Sequence, residues 1–124
     1  MSMGFHPLNL GLRFMLELAA LVATGYWGYN QTDSWTRYVL AIGVPLILAV
    51  LWGTFAVPND RSRSGKAPIP TPGYLRLCLE IAFFVFASWT LYETGLTRLA
   101  LTLSIVTVVH YAISYDRVIW LLDN

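Results

Sequence analysis

The stretch Leu12-Arg13-Phe14-Met15-Leu16-Glu17-Leu18-Ala19 returns later in the chain as Leu75-Arg76-Leu77-Cys78-Leu79-Glu80-Ile81-Ala82, with five of the eight positions identical. Each copy opens an apolar run. Each is followed by an aromatic-rich helix end, a short polar stretch, an arginine (Arg37 or Arg98) and a second apolar run. The pattern predicts two similar helical hairpins, over about residues 8–57 and 74–120, joined by a loop at 58–73. Because each unit holds an even number of helices, the copies run in the same sense, related by a pseudo-two-fold axis along a membrane normal. The expected fold is all-α: one membrane domain over residues 1–124, a four-helix bundle built from two parallel-repeat transmembrane hairpins.

Working outward from the repeat, the apolar runs extend from about Leu8 to Tyr29, Trp35 to Val57, Tyr74 to Tyr92 and Leu96 to Trp120. Runs of this length reach roughly 28–37 Å at 1.5 Å per residue, enough to cross a hydrocarbon core of about 30 Å. Pro7 suits the first turn of the first helix, and Asn30-Gln31-Thr32-Asp33 supply a polar stop. Pro58-Asn59-Asp60 end the second run, and Pro45 in its middle should kink it or loosen one turn of backbone bonding. Glu93-Thr94-Gly95 allow a tight turn after the third. Arg13 and Glu17 sit inside the first run with no clear small-x-small cleavage site before Tyr26-Trp27, so it reads as a retained helix rather than a signal peptide.

Composition agrees with the runs: 56% of residues are hydrophobic and 12% charged, where soluble domains carry about 25% charged residues. The bilayer is the expected solvent and the expected partner. Tyr26, Trp27, Tyr29, Trp35, Tyr38, Tyr74, Trp89, Tyr92, Tyr115 and Trp120 stand near the ends of the runs, where aromatic side chains anchor to membrane interfaces, with Trp52 a turn or more inside. A net charge of +1 gives no reason to expect nucleic acid as a partner. Cys78, the only cysteine, has no second thiol and lies in an apolar run, where it serves as a small hydrophobe.

The loop at 58–73 holds Arg61, Arg63 and Lys66 among Pro58, Pro68, Pro70 and Pro72, which predicts an extended, mobile segment. By the positive-inside rule it is cytoplasmic, and an even number of spans places both termini on the same side. Contact with anionic lipid is the weaker reading of these charges.

Ionisable residues inside a membrane face the bundle interior or a water-filled cavity. Arg13 and Glu17 share a helix face that continues through Ala20, Thr24 and Gly28; Arg76 and Glu80 begin a similar stripe through Ala87 and Thr94. Both stripes should point inward. His110 reaches a similar depth on a stripe with Thr107, Ser114 and Arg117. The expected intramembrane polar cluster is therefore Arg13, Glu17, Arg76, Glu80 and His110. In its structural reading the two Arg/Glu pairs neutralise one another across the pseudo-dyad and fix helix register, with His110 hydrogen-bonded beside them. In its functional reading the cluster binds or moves a proton, ion or small solute.

A metal site of Glu17, Glu80 and His110 lacks local ligand spacing, so no metal, cofactor or catalytic residue is assigned. No nucleophile elbow, Walker loop, dinucleotide fingerprint or zinc-protease motif occurs, and an enzyme has no positive support. Four helices enclose little space, which makes a homo-oligomer plausible.

The residues Asn9-Leu10, Leu12 to Ala20, Gly25-Tyr26-Trp27-Gly28, Pro45, Leu51-Trp52-Gly53, Pro58, Leu75-Arg76, Leu79-Glu80 and Asp116-Arg117 carry a resemblance across nearly the whole chain. On them the sequence resembles the YrdB-like family of small bacterial membrane proteins, whose domain has no assigned function. The resemblance implies a bacterial cell membrane and brings no catalytic residue, cofactor or substrate. The leading expectation is a multi-pass, non-enzymatic membrane protein that binds or moves a small ion or solute; the alternative is a structural or regulatory membrane subunit acting through helix and lipid contacts.

Overall fold

A computed structural model describes residues 3–60 and 66–124. A 3-10 turn at Met3–Phe5 leads into α1 (Pro7–Tyr29), then α2 (Thr36–Thr54), α3 (Gly73–Glu93), α4 (Thr97–Ile113) and α5 (Tyr115–Leu122). Between α2 and α3, β1 (Phe55–Ala56) and β2 (Ile69–Pro70) form a two-residue parallel ladder. The helices α1, α2 and α3 are each long and apolar enough to cross a membrane, and α4 with α5 makes a fourth candidate if the bent pair is one span.

Local chemistry sets the helix ends. His6 accepts the Leu8 amide on its Nδ1 at 3.2 Å and Pro7 occupies the first turn, so α1 starts with one orphan donor satisfied and one removed. At its other end the amide of Asn30 closes onto the carbonyls of Tyr26 and Trp27. Gly95, at φ +85, makes the reversal between α3 and α4. α2 runs unbroken through Pro45.

Two expectations about chain path are corrected. The fourth run is not one helix over Leu96 to Trp120: it breaks at Ser114, and α5 turns 72° away from α4. The turn brings Arg117, three residues past the break, to 2.8 Å from Asp60 and 2.9 Å from Glu80, two buried carboxylates. The second helix stops at Thr54 rather than Val57, because Phe55 and Ala56 leave it to pair with Ile69 and Pro70. That ladder, with Thr71 N–H donating to Ala56 at 2.9 Å, ties both ends of the connection expected to be mobile. Arg61 and Arg63, on which the charge of the loop mainly rests, lie outside the described residues; Lys66 is exposed.

The core is a strip of small and aromatic side chains where α1, α3 and α4 meet: Leu16, Ala20 and Ala23 against Phe83, Phe84, Ala87 and Leu91, closed by Ala100 and Leu103. α2 buries no residue fully and packs mainly along α1. The approach is close because Gly28 lacks a side chain: a Cβ there would stand 2.5 Å from the Leu40 carbonyl oxygen. Most of the aromatic end residues face outward, among them Trp35, Tyr38, Tyr74, Tyr92 and Tyr115. Trp52 does not. Its ring lies 4.8 Å from that of Phe83 and beneath the guanidinium of Arg76 at 4.4 Å.

Candidate functional site

The inward stripes arise from helical spacing and carry charge into the protein. Along α1, Arg13, Ala20, Thr24 and Gly28 are buried, and along α3 so are Arg76, Glu80 and Ala87. Thr94 is half-buried at the end of its stripe. Glu17 is the departure on α1, with 23% of its side chain exposed.

Glu80 is the centre of the site. Its Oε2 accepts from Arg13 Nη2 at 2.9 Å, from Arg76 Nε at 2.8 Å and from Arg117 Nη2 at 2.9 Å. Its Oε1 accepts from the hydroxyl of Tyr111 at 2.7 Å and from Arg117 Nη1 at 2.9 Å. A carboxylate offers about four lone-pair sites, so five donors saturate it. Four elements (α1, α3, α4 and α5) thus converge on one side chain that has no exposed surface.

Each arginine has a second anchor. Arg13 Nε donates to Glu17 Oε1 at 3.2 Å. Arg76 Nη1 donates to the carbonyls of Trp52 and Phe55, the latter at 2.7 Å, and so caps the C-terminal end of α2 where orphan carbonyls gather. Arg117 Nη2 donates to Asp60 Oδ2 at 2.8 Å, binding α5 to the connection that follows β1. Among the described residues, Arg13, Arg76 and Arg117 meet Glu17, Asp60 and Glu80, so three positive side chains face three negative ones. Buried charge is tolerable only when it is paired and hydrogen-bonded in this way.

Of the five expected cluster residues, four join this network: Arg13, Arg76 and Glu80 at its centre and Glu17 at its edge. Among the described residues, ion pairing between the Arg13/Glu17 and Arg76/Glu80 pairs runs from Arg13 to Glu80. His110 lies beside the network rather than in it: its Nδ1 bonds Asn9 Oδ1 at 3.0 Å, and Asn9 Nδ2 donates to Ser114 Oγ at 2.6 Å, pinning the break between α4 and α5. Glu17, Glu80 and His110 do not converge as a ligand set, and no three metal-ligating side chains do so among the described residues.

Sequence reasoning left out Asp60, Tyr111, Asn9 and Arg117 as members of the cluster. Arg117 had a signal, since it stands seven residues past His110 on the same helical stripe. Asp60 had none: it follows a Pro-Asn turn that reads as solvated, and only the tertiary path of the loop buries it to 1% exposure.

The family described as "Protein of unknown function (DUF2568)" matches residues 11–108, a span that holds both Arg/Glu pairs and ends before His110. The "Uncharacterized protein YrdB" of Bacillus subtilis (strain 168) is 37% identical over 116 residues, covering 94% of this chain and 94% of the relative. No solved structure matches.

Proposed function

For this chain, which belongs to the DUF2568 family of proteins of unknown function, we propose a multi-pass protein of the bacterial cell membrane whose buried charge cluster is a structural lock. Its four spans form two hairpins of one repeated design, with the basic loop and both termini at the cytoplasmic face. It acts as a non-enzymatic structural or regulatory membrane subunit, through its outer helix surfaces. The supporting observation is the saturation of Glu80 by three guanidiniums and a tyrosine hydroxyl. A carboxylate with every lone pair occupied has no site left for a travelling cation, and releasing it would leave three buried arginines facing only the carboxylates of Glu17 and Asp60.

The placement of the connections supports the same reading. The 3-10 turn packs on α5, with Gly4 N–H donating to Asp116 at 2.8 Å and Phe5 edge-on to Trp120 at 6.4 Å, so both termini gather at the end where β1 and β2 pair. α4 alone is about 26 Å long at 1.5 Å per residue, near the minimum for a span, which leaves α5 free to lie along the interface.

Carbonate extraction of membranes at high pH tests the membrane half of the proposal: the protein stays in the pellet, and release to the supernatant refutes it. For the lock, the purified protein in proteoliposomes passes protons and alkali cations no faster than empty vesicles do. The partly exposed Glu17 supports a second reading, in which the edge of the cluster binds an ion. Flux above the empty-vesicle level that Glu17→Gln abolishes would establish that reading instead.

A further inference from the structure

At the end of the molecule opposite the charge lock, the turns that follow α1 and α3 meet around a cup of about 240 Å³ lined by Asn30, Gln31, Glu93 and Thr94. It lies roughly 26 Å from Arg13 along α1 at 1.5 Å per residue. Both helices end there, so the cup stands at the negative poles of two helix dipoles, where positive charge is favoured.

The donors of these residues are turned back onto the helix ends. Asn30 Nδ2 donates to the Tyr26 carbonyl at 2.7 Å, and Gln31 Nε2 donates to the Trp27 carbonyl at 3.0 Å. Since a carbonyl only accepts, these contacts fix which end of each amide is nitrogen, and the two amide oxygens keep their lone pairs. Thr94 Oγ1 gives its proton to the Thr90 carbonyl at 2.8 Å, and the backbone amides of Asn30, Gln31, Thr94 and Gly95 close onto carbonyls of their own helix ends. Glu93 is exposed and makes no ion pair or side-chain hydrogen bond among the described residues. Arg37, at the start of α2, is held elsewhere, with Nε donating to the Tyr29 carbonyl at 3.3 Å and its guanidinium 3.8 Å over the Tyr29 ring. A carboxylate, two amide oxygens and a hydroxyl therefore gather at one cup with their acceptor capacity unspent, whereas every carboxylate of the lock is matched by a guanidinium.

We propose that the cup binds a hard divalent cation of the calcium class through Glu93, Gln31, Asn30 and Thr94. The ion would tie the turn after α1 to the end of α3, as the arginines tie the same two helices at the other end. Carboxylate and amide oxygens are ordinary calcium ligands, and at about 30 Å³ per water the cup has room for solvent to complete a shell of about 6–8 oxygens. A single carboxylate suits the weak end of the calcium range, about 10⁻⁴–10⁻³ M. Glu93 is the only carboxylate, histidine or cysteine in the set, which sets it apart from a transition-metal site. In the topology proposed above the cup opens on the outer side of the membrane, and that side is the one part of the assignment that rests on the membrane reading.

The test uses the full chain in zwitterionic detergent with terbium(III), a luminescent ion that takes the oxygen ligands of calcium. Trp27 and Trp89, with ring centroids 5.7 Å apart, stand one helical turn before Gln31 and Glu93 and would sensitise the bound ion. Emission excited through tryptophan saturates, and calcium displaces the terbium while sodium at equal ionic strength does not. Glu93→Gln weakens terbium and calcium binding by about an order of magnitude and Gln31→Leu by several-fold, with helical content unchanged. Asp123→Asn, which removes the same charge from an exposed position at the other end, leaves binding as it is. No saturable emission, binding that survives Glu93→Gln, or an equal loss in Asp123→Asn overturns the site. Binding in micelles is independent of which face of the membrane the cup occupies, and carbonate extraction reports on the membrane reading separately, so the two failures are distinguishable.

Discussion

Arg13 with Glu17 and Arg76 with Glu80 begin from the same local spacing and end in different surroundings. Glu17 keeps 23% of its side chain exposed and takes a 3.2 Å contact from Arg13. Glu80, wholly buried, takes contacts from three arginines and a tyrosine. The cause lies in the segment that succeeds each hairpin. After α2 the chain departs into β1, whereas after α4 it turns 72° and α5 delivers Arg117 to the second copy. The same Arg-x-x-x-Glu spacing thus supplies a carboxylate on each of α1 and α3, and α5 decides which of them becomes the hub.

The comparison can be broken most decisively at Glu80. Glu80→Gln leaves three buried guanidiniums short of a counter-charge and should cost about 3–5 kcal/mol, read as a large drop in the midpoint of thermal unfolding in detergent. Arg117→Met, which removes the asymmetric partner and leaves Asp60 buried without it, should cost about 2–4 kcal/mol by the same mechanism. It should also free α5, seen as faster proteolysis after Tyr115 while the core of α1 and α3 remains protected. If Arg117→Met leaves α5 as resistant as before, the hub does not depend on that helix.

Gly73→Ala probes the same clasp from the backbone. A Cβ on Gly73 would run into the main chain of Leu121, which cannot move without displacing α5. The expected loss is about 1–3 kcal/mol, as for other overpacked sites, and the same proteolysis assay locates it at α5. The smallest effect belongs to the first copy. Glu17→Gln should cost less than about 1 kcal/mol, the range of a partly solvated pair. Double-mutant cycles sharpen the contrast: Arg76 with Glu80 should couple by about 1–3 kcal/mol, and Arg13 with Glu17 by a few tenths. Equal coupling in both cycles would mean that the two Arg/Glu pairs are energetically equivalent.

How much of this was open to sequence reasoning depended on whether a feature is local. The extents of α1 and α3 follow from apolar runs bounded by Pro7, Asn30, Pro72 and the Glu93 to Gly95 turn, and the structure places them within a residue or so of those signals. The buried face of each helix was equally legible, because a period of 3.6 residues carries Arg13 onto Ala20 and Arg76 onto Glu80 whatever the neighbouring helix does. The break at Ser114 was not, since Leu96 to Trp120 is mainly apolar and the partners that hold the turn, Asn9 on Ser114 and Glu80 with Asp60 on Arg117, are distant in sequence. Neither Asp60 nor Tyr111 carried a signal of its own.

The sequence by itself determined helices of near-spanning length, their inward stripes and the presence of paired charge on two of them, because periodicity and hydropathy act within a few turns of chain. Only the tertiary structure decided that one glutamate would gather three arginines and that His110 would turn instead to Asn9. Those outcomes rest on side chains distant in sequence, as with Asp60 and Arg117, whose meeting depends on how the connections fold back across the helix ends.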